Sequence, residues 1–256
     1  METQPWPDPH TRTLHVIGKQ AASRNMLRVT LGGEGMQAFP DDQAGAYIKL
    51  IFPATAEQPQ LMRTYTVRAQ REREIDVDFV LHDDGGPASL WASDCQPGDS
   101  ILVGGPGPRK SLHQGPDWYL IAGDMTALPA ISVNLESLPQ DARGVAVLEI
   151  LDEADIQPLQ VPAGIELIWL VNSHPGDETH PLVERIRQID WSPGRVQVWA
   201  ACEFGSMRAL RQFLREEREV ARGDLYISSY WKNGISEDQH KLAKRADAEQ
   251  ADQSPA

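Results

Sequence analysis

The sequence predicts two domains of different class, an N-terminal antiparallel β-barrel followed by a C-terminal α/β domain built on a parallel sheet. The chain of 256 residues exceeds the usual size of a single domain. Its first half contains short strand-like runs separated by Gly, Pro and Asp clusters, which is typical of an antiparallel barrel. From about Pro116 onward, apolar strands alternate with helical stretches, which is typical of a parallel sheet covered on both faces.

Short strands account for the first half. They share apolar side chains at every second position and are bounded by turn residues. The predicted strands cover residues 13–17, 26–31, 47–52, 75–82 and 101–103. In the fourth of these, Ile, Val, Phe and Leu alternate mostly with Asp and His, which predicts one buried face.

The second half alternates strands with helices. The predicted strands cover residues 118–122, 145–151, 166–171, 196–201 and 225–228, and the predicted helices cover 126–138, 178–189 and 204–214. We place the domains at residues 1–115 and 116–245. Residues 246–256 are small and polar, so we expect them to form a disordered tail.

Composition excludes several classes of protein. No apolar run reaches the roughly 18–20 residues of a membrane span, and Met1–His10 lacks the pattern of a signal peptide. The net charge of −13 argues against nucleic acid as a partner, because phosphate binding needs a basic surface. Cys95 and Cys202 form no metal or redox motif. We expect a monomeric cytoplasmic protein without stable membrane insertion.

The segment Arg63–Arg68 is an unusual piece of strand. Its six residues, Arg-Thr-Tyr-Thr-Val-Arg, combine two guanidinium groups, one aromatic ring and two hydroxyls. Arginine makes forked hydrogen bonds to phosphate and an aromatic ring stacks on a planar cofactor, so a cofactor strand is one interpretation. A solvated strand whose arginines meet acids is the other. Alternation places Arg63, Tyr65 and Val67 on one side and Thr64, Thr66 and Arg68 on the other.

Two loops have compositions suited to phosphate. Residues 82–92 form a glycine-rich turn that opens a short helix near Pro87, where exposed amides favour an anion. Residues 122–129 join the first strand of the α/β domain to its first helix, a common place for nucleotide phosphates. This second loop lacks the GxGxxG pattern. Either loop also fits an ordinary strand-to-helix connection.

Four sequence blocks together resemble the siderophore-interacting proteins, a branch of the ferredoxin reductase-like flavoenzymes. Residues 63–68 resemble that family's R-x-Y-T-x-R flavin signature. Residues 79–92 resemble its second block, and residues 122–136 resemble its AGDETALPAI…LE segment. Residues 230–234 resemble its closing GYWRxG block. The blocks occur in family order and span residues 60 to 235, which is far more specific than any one of them.

The resemblance implies an FAD-dependent ferric-siderophore reductase with a ferredoxin reductase-like fold, FAD in the barrel and NADH or NADPH in the α/β domain. Arg63 would hold the flavin phosphates, Tyr65 would pack on the isoalloxazine, Thr66 would lie near its N5 edge, and Arg68 would assist with phosphate or ribose. Trp231 and Lys232 would approach the ring from the C-terminal side, and Thr126 and Ala127 would lie near the pyridine nucleotide. The rest of the implied cofactor set comprises Val67, His82, Gly86, Pro87, Ala88, Ser89 and Asp124.

The resemblance also implies a basic cluster that docks an anionic ferric siderophore or another ferric chelate. Lys49, Arg109 and Lys232 are the candidates, and an ordinary strand-surface lysine is the alternative for Lys49. No catalytic acid or nucleophile is implied, since FAD carries the redox chemistry. We expect no metal site, because the polar loop 174–180 has no ligand spacing and is interpreted as a solvated turn.

Three residues depart from the family pattern. Met125 replaces the usual Glu of the GDETA block, which puts an acid role there in doubt. Ala201-Cys202-Glu203 stands where the family commonly has Ala-Gly-Glu, and we interpret Cys202 as a structural buried thiol. Ser229 replaces the Gly before Tyr-Trp, so that turn is expected to differ.

The sequence does not decide whether NADH, NADPH or another reductant is the electron donor. Asp152 and Glu153 follow the second strand of the α/β domain, where an acid favours the ribose diol of NADH over a 2′-phosphate. The fold family reads adenosine differently from a Rossmann dehydrogenase, and reduced ferredoxin is a further possible donor. Two other functions fit the same residues, namely a flavin reductase of the diaphorase type with another acceptor, and a non-catalytic siderophore-binding flavoprotein.

Overall fold

The structure, a computed structural model, describes residues 11–54, 59–82, 85–113 and 115–253. The expectations for Met1–His10 and for Asp83 and Asp84 of the glycine-rich turn lie outside these residues. The described chain divides into two compact units, each with its own hydrophobic core. Unit 1 takes residues up to 111 together with 132–137 and 154–159, and unit 2 takes 112–131, 138–153 and the chain from 160.

Unit 1 is a closed antiparallel barrel, which confirms the predicted barrel. Closure pairs the backbone of each strand on both sides, so no sheet edge is left open. The strands follow the order β1-β2-β5-β4-β3-β6. They are β1 (Thr11–Ser23), β2 (Met26–Gly32), β3 (Tyr47–Phe52), β4 (Leu61–Arg71), β5 (Glu74–Val80) and β6 (Ser100–Gly107), and helix α1 (Pro87–Asp94) follows β5.

The outer face of β5 is buried as well as its inner face, where the sequence predicted one buried face. Asp76 and Asp78 alternate with the core residues of this strand, yet they are only 6% and 5% exposed. Arg28 spans the Asp78 carboxylate with Nε–Oδ1 and Nη2–Oδ2 distances of 2.7 and 2.8 Å. Arg71 spans Asp76 with two bonds of 2.8 Å. These arginines satisfy the acids while their stems cover them, so polar residues remain tolerable in a buried position.

Unit 2 is a five-stranded parallel sheet, as the alternating pattern predicted. The order β11-β10-β7-β8-β9 places the first strand of the unit at the centre, and the chain changes direction between β7 and β10. In open sheets, ligands bind beyond the carboxyl ends of strands at such a switch point. The elements are β7 (Trp118–Gly123), α2 (Leu128–Glu136), β8 (Arg143–Ile150), β9 (Gly164–Val171), α3 (Pro181–Arg187), β10 (Val196–Glu203), α4 (Phe204–Gln212), β11 (Leu225–Trp231) and α5 (Glu237–Gln253).

Helix α3 is shorter than predicted, since the sequence pattern placed its start near Glu178. The Asp177 carboxylate instead accepts hydrogen bonds from the backbone N–H and the hydroxyl of Thr179, at 3.1 and 2.6 Å. His180 then adopts a left-handed backbone with φ of 47°. Such an Asp-centred turn competes with helix formation, so α3 begins at Pro181.

Helix α5 corrects the prediction of a disordered tail from residue 246, because it continues to Gln253. Ala, Glu and Gln, which favour helix, make up much of this segment. Asp247 also has a partner outside the helix: Arg211 donates to both carboxylate oxygens at 2.7 and 2.8 Å. Residues 254–256 lie outside the described chain. Neither α5 nor another helix of the described residues has the length and apolar character that crossing a membrane requires.

Candidate functional site

The hexapeptide Arg63–Arg68 lies in the middle of β4. Pairing with β3 sets its faces, because residues directly opposite each other in an antiparallel pair point the same way. Tyr65 lies opposite Ile48, which is fully buried in the barrel, and Thr64 and Thr66 lie opposite Lys49 and Tyr47 on the outer face. The strand therefore presents two hydroxyls outward and turns its tyrosine towards the core.

Tyr65 packs against the barrel core. Its ring centroid is 4.4 Å from that of the fully buried Phe79, with the two planes inclined at 38°. The Tyr65 ring is only partly buried, so core packing fixes its orientation while part of it stays accessible. On the same strand Arg63 is also partly buried, and its Nη1 donates to the Met62 carbonyl at 2.9 Å.

Arg68, the second arginine of the hexapeptide, pairs with Glu136 at the end of α2. Its Nη1 and Nη2 donate to Oε2 and Oε1 at 3.1 and 2.5 Å, an arrangement that uses both prongs of the guanidinium. Only 15% of the arginine side chain is exposed. Its expected role beside phosphate or ribose stays a prediction, and the structure adds a fixed carboxylate partner that the sequence did not predict.

The N-terminus of α1 has the features of an anion site. Gly86 has extended backbone geometry, Pro87 occupies the first turn, and within the described residues no side chain caps the helix. Uncapped amides at a helix start attract negative charge. Ser89 is buried, and its hydroxyl donates to the Gly86 carbonyl at 3.0 Å, which stabilises the turn. The neighbouring Ala88 is buried too, and His82 is exposed just beyond β5.

Asp124 organises the loop after β7 in unit 2. Its carboxylate is 5% exposed and accepts from the Thr126 backbone N–H at 2.9 Å and from the Thr126 hydroxyl at 2.5 Å. The other oxygen accepts from the indole N–H of Trp231 at 2.8 Å. Burial raises the pKa of Asp124, and these hydrogen bonds oppose the rise. Ala127 is fully buried in the same loop. Of the four predicted residues here, only Thr126 and Trp231 are partly exposed.

Glu203 joins three segments at the carboxyl end of the sheet. Its Oε2 accepts from the amides of Gly205 and Ser206 at 2.5 and 3.2 Å, which caps α4. Its Oε1 accepts from the Asn233 amide at 3.2 Å, and the Asn233 side chain donates to the Gly176 carbonyl at 3.1 Å. This role was not predicted from the sequence, although an acid between an apolar strand and a helical stripe is a recognisable capping signal.

Glu149 is a second acid that the sequence analysis missed. It belongs to β8, it is 7% exposed, and burial together with the charge of Asp124 raises its pKa to about 7. A hydrogen bond from the Leu182 backbone opposes this rise. A single acid within an otherwise apolar strand was the available signal.

The three basic candidates occupy different units. In unit 1, Lys49 donates from Nζ to the Thr64 hydroxyl, and Arg109 pairs with Asp42 at 3.1 Å. In unit 2, Lys232 places its Nζ 4.6 Å from the centre of the Phe204 ring, a cation–π distance. Lys49 and Arg109 therefore belong to the barrel and Lys232 to the sheet, and their joint role with substrate remains a prediction.

The structure shows what surrounds each of the three residues that depart from the family pattern. Met125 is 4% exposed and so packs into the interior of unit 2. Cys202 is 1% exposed, and burial raises the pKa of its thiol well above the ordinary value, so the group stays a neutral thiol. The hydroxyl of Ser229 shares a hydrogen bond of 2.8 Å with Nε2 of His240 on α5.

Comparison with known proteins gives the relationship of the whole chain. The family model described as siderophore-interacting FAD-binding domain matches residues 15–62 and 54–110, and the model described as siderophore-interacting protein matches residues 116–234. The ferric vibriobactin reductase ViuB of Vibrio cholerae is 36% identical over 250 residues, covering 90% of this chain and 92% of its own. A ferric acinetobactin reductase of Acinetobacter baumannii is 27% identical over 192 residues, covering 74% of this chain and 67% of its own.

A solved structure agrees with these matches. The siderophore-interacting protein SipS from Aeromonas hydrophila superimposes with a TM-score of 0.83 at 36% identity, covering 94% of this chain and 98% of that one. The two family models meet near residue 116, where the barrel gives way to the parallel sheet. The motif-based resemblance is confirmed, and the chain belongs to the siderophore-interacting protein family.

Proposed function

We propose that this chain is an FAD-dependent ferric-siderophore reductase that draws its electrons from NADH or NADPH. The observation that carries the proposal is the coexistence in one barrel of the β4 hexapeptide and the uncapped start of α1, within the region that matches a siderophore-interacting FAD-binding domain. Relatives named as ferric vibriobactin and ferric acinetobactin reductases support the choice of substrate.

The residues of unit 1 fit FAD by their chemistry. A dinucleotide needs donors for a pyrophosphate and a flat apolar surface for the ring. Arg63 and the amides at the start of α1 would bind phosphate, and Tyr65, oriented by Phe79, would pack on the isoalloxazine. Thr66 would address the N5 edge with its hydroxyl. Arg68 would bind phosphate or ribose only from the orientation that Glu136 gives it.

Unit 2 would bind the pyridine nucleotide at the carboxyl edge of its sheet. Thr126 and Trp231 are partly exposed there, and Asp124 orients both. Asp152 and Glu153 lie just beyond the end of β8 and favour a ribose diol, so NADH is the first donor to test. Reduced ferredoxin is the alternative donor. We place the reaction in the cytoplasm, where both nucleotides occur and where the two free cysteines would stay reduced.

The chemistry needs positioning more than acid–base catalysis. Siderophores hold Fe(III) through hard oxygen donors and hold Fe(II) much more weakly, so reduction releases the metal without destroying the chelator. When bound, FAD supplies the conversion of a two-electron hydride donation into single-electron transfers. The residues of the chain bind and orient the partners. Lys49, Arg109 and Lys232 would attract an anionic chelate to a protein whose net charge is −13.

Stopped-flow spectroscopy of the FAD-loaded protein tests the proposal. We expect NADH or NADPH to bleach the flavin absorbance anaerobically, and a ferric siderophore to restore it much faster than dissolved oxygen does. No bleaching by either nucleotide would overturn the pyridine-nucleotide donor, and reduced ferredoxin would be tried next. Reoxidation no faster with ferric chelates than with oxygen would favour a diaphorase. A purified protein that cannot take up FAD would overturn the whole proposal.

A further inference from the structure

Tyr47 is an exposed aromatic side chain held in a fixed position on the outside of the barrel. Its side chain points outward from β3, and the residue is 40% exposed. The ring lies over Gly107 of β6, because a Cβ atom added at that glycine would overlap the Cζ, Cε1 and Oη atoms of Tyr47. Gly107 is also the register partner of Tyr47 on that side. An aromatic ring covering a glycine on a neighbouring strand is a known stabilising arrangement.

Lys49 and Thr66 lie beside this ring, and Arg109 follows the glycine beneath it along the chain. The Nζ atom of Lys49 lies 5.6 Å from the ring centroid and donates to the Thr64 hydroxyl. Thr66 is the register partner of Tyr47 on the β4 side. Arg109 follows Gly107 by two residues, and its partner Asp42 is 78% exposed. Such an exposed pair contributes little free energy, so a more highly charged anion can displace Asp42.

We propose that Tyr47, seated on Gly107 beside Lys49, is a specificity-determining residue that makes the protein prefer ferric chelates with aryl-oxygen ligands, such as catecholates, over hydroxamates. The inference rests on the proposed function and deepens it. The exposed phenol ring would stack on an aryl ring of the chelator, while Lys49 and Arg109 would interact with its anionic oxygens.

The chemistry of the two chelate classes explains the preference. A ferric tris-catecholate has aromatic rings at its surface and carries net negative charge, since each catecholate contributes two negative charges. A ferric tris-hydroxamate is neutral and has no aromatic ring. Stacking and cation–π contacts therefore act on the first class and hardly on the second. A ring already fixed on a glycine loses little conformational freedom when it binds a ligand.

Binding of gallium(III) chelates tests the inference without any redox step, because gallium(III) replaces iron(III) in these ligands and is not reduced. Dissociation constants for a gallium tris-catecholate and a gallium tris-hydroxamate would be measured by calorimetry on FAD-loaded wild type, Tyr47→Ala and Tyr47→Phe. The visible spectrum gives the FAD content of each variant. Ile17→Ala is the control, since Ile17 is 47% exposed on the same barrel and outside the site.

We expect Tyr47→Ala to weaken catecholate binding about fivefold, the size of one aromatic contact, while hydroxamate binding changes less than about twofold. Tyr47→Phe keeps the ring and should stay near wild type, as should Ile17→Ala. Equal weakening of both chelates, or weakening of neither, would overturn the role of Tyr47 and leave the reductase proposal intact. Failure of the wild type to bind either chelate would overturn both.

Discussion

Trp231 donates its indole N–H to the buried carboxylate of Asp124 across 2.8 Å, which ties the end of β11 to the loop after β7. Trp231→Phe keeps an aromatic ring but leaves one carboxylate oxygen without this donor. We expect a loss of about 1–3 kcal/mol in the free energy of unfolding, because a buried acceptor loses its partner. We also expect a higher KM for the pyridine nucleotide. Urea unfolding and steady-state kinetics measure the two effects.

The control for this change is Trp191→Phe, another partly buried tryptophan of unit 2, which packs on Trp118. It should alter stability without raising the nucleotide KM. If Trp231→Phe left both quantities unchanged, the bond to Asp124 would have no role in ordering this loop.

The Arg68–Glu136 pair predicts a link between α2 and FAD affinity. Glu136→Gln removes the charge that orients the Arg68 guanidinium, so the dissociation constant for FAD should rise. The stability loss should be small, about 0.5–1 kcal/mol, because nearly a third of the Glu136 side chain is exposed to solvent. Fluorescence titration of the apoprotein with FAD measures the affinity. Glu34→Gln, an exposed acid of the same unit, should behave as wild type, and an equal effect of both changes would contradict the prediction.

The lowered pKa of Asp76 makes the stability of the barrel depend on pH in the acid range. Burial acts to raise the pKa of this carboxyl, but hydrogen bonds from Arg71 and Thr30 and the charges of Arg71 and Arg28 outweigh it, so the pKa is lowered from its usual 3.8. A lowered folded-state pKa gives stability that is present above pH 3.8 and is lost as the pH falls through the folded value. Thermal unfolding of Asp76→Asn should therefore depend less on pH below about pH 5 than that of wild type.

The exposed Asp41→Asn is the matched control for acid sensitivity, and it should reproduce the pH dependence of the wild type. A wild-type unfolding temperature that stayed level through this range would contradict the importance of the Arg71–Asp76 pair.

The raised pKa of Glu149 makes the stability of unit 2 fall as the pH rises, which is the opposite of the effect of Asp76. Its pKa is raised to about 7, chiefly by burial and then by Asp124, whereas the unfolded value is 4.5. The folded state therefore holds a proton that the unfolded state releases, and stability falls as the pH rises from 4.5 to about 7. Glu149→Gln carries no such proton and should be more stable than wild type at pH 8, by on the order of 2 kcal/mol. Urea unfolding at several pH values measures this, and parallel profiles for the two proteins would refute the prediction.

How much the sequence could predict depends on the range of the interactions involved. Period-two alternation placed the hexapeptide on a strand, and continuous apolar runs gave the parallel sheet, because both patterns are local. The burial of Asp78 could not be predicted, since its partner Arg28 lies 50 residues away. The same holds for the seat of Tyr47 on Gly107, which depends on which strands are neighbours. Long-range partners decide whether a polar or exposed-looking residue is buried.

The contacts of Asp247 explain why residues 246–253 are helical where composition predicted disorder. This explanation can be tested by mutation. Its side chain is 9% exposed, and Arg211 and Arg208 both contact it from α4. Asp247→Ala removes these contacts but introduces the strongest helix former, so propensity alone would leave α5 intact. Because the segment is polar and isolated helices of this length are marginal, we expect amide hydrogen exchange in residues 246–253 to accelerate about tenfold.

Exchange in the first turns of α5, where His240 is buried, should change much less. Asp238→Ala is the control, since Asp238 pairs with Lys241 inside the helix. Unchanged exchange in residues 246–253 would mean that helix propensity orders this segment without Arg211.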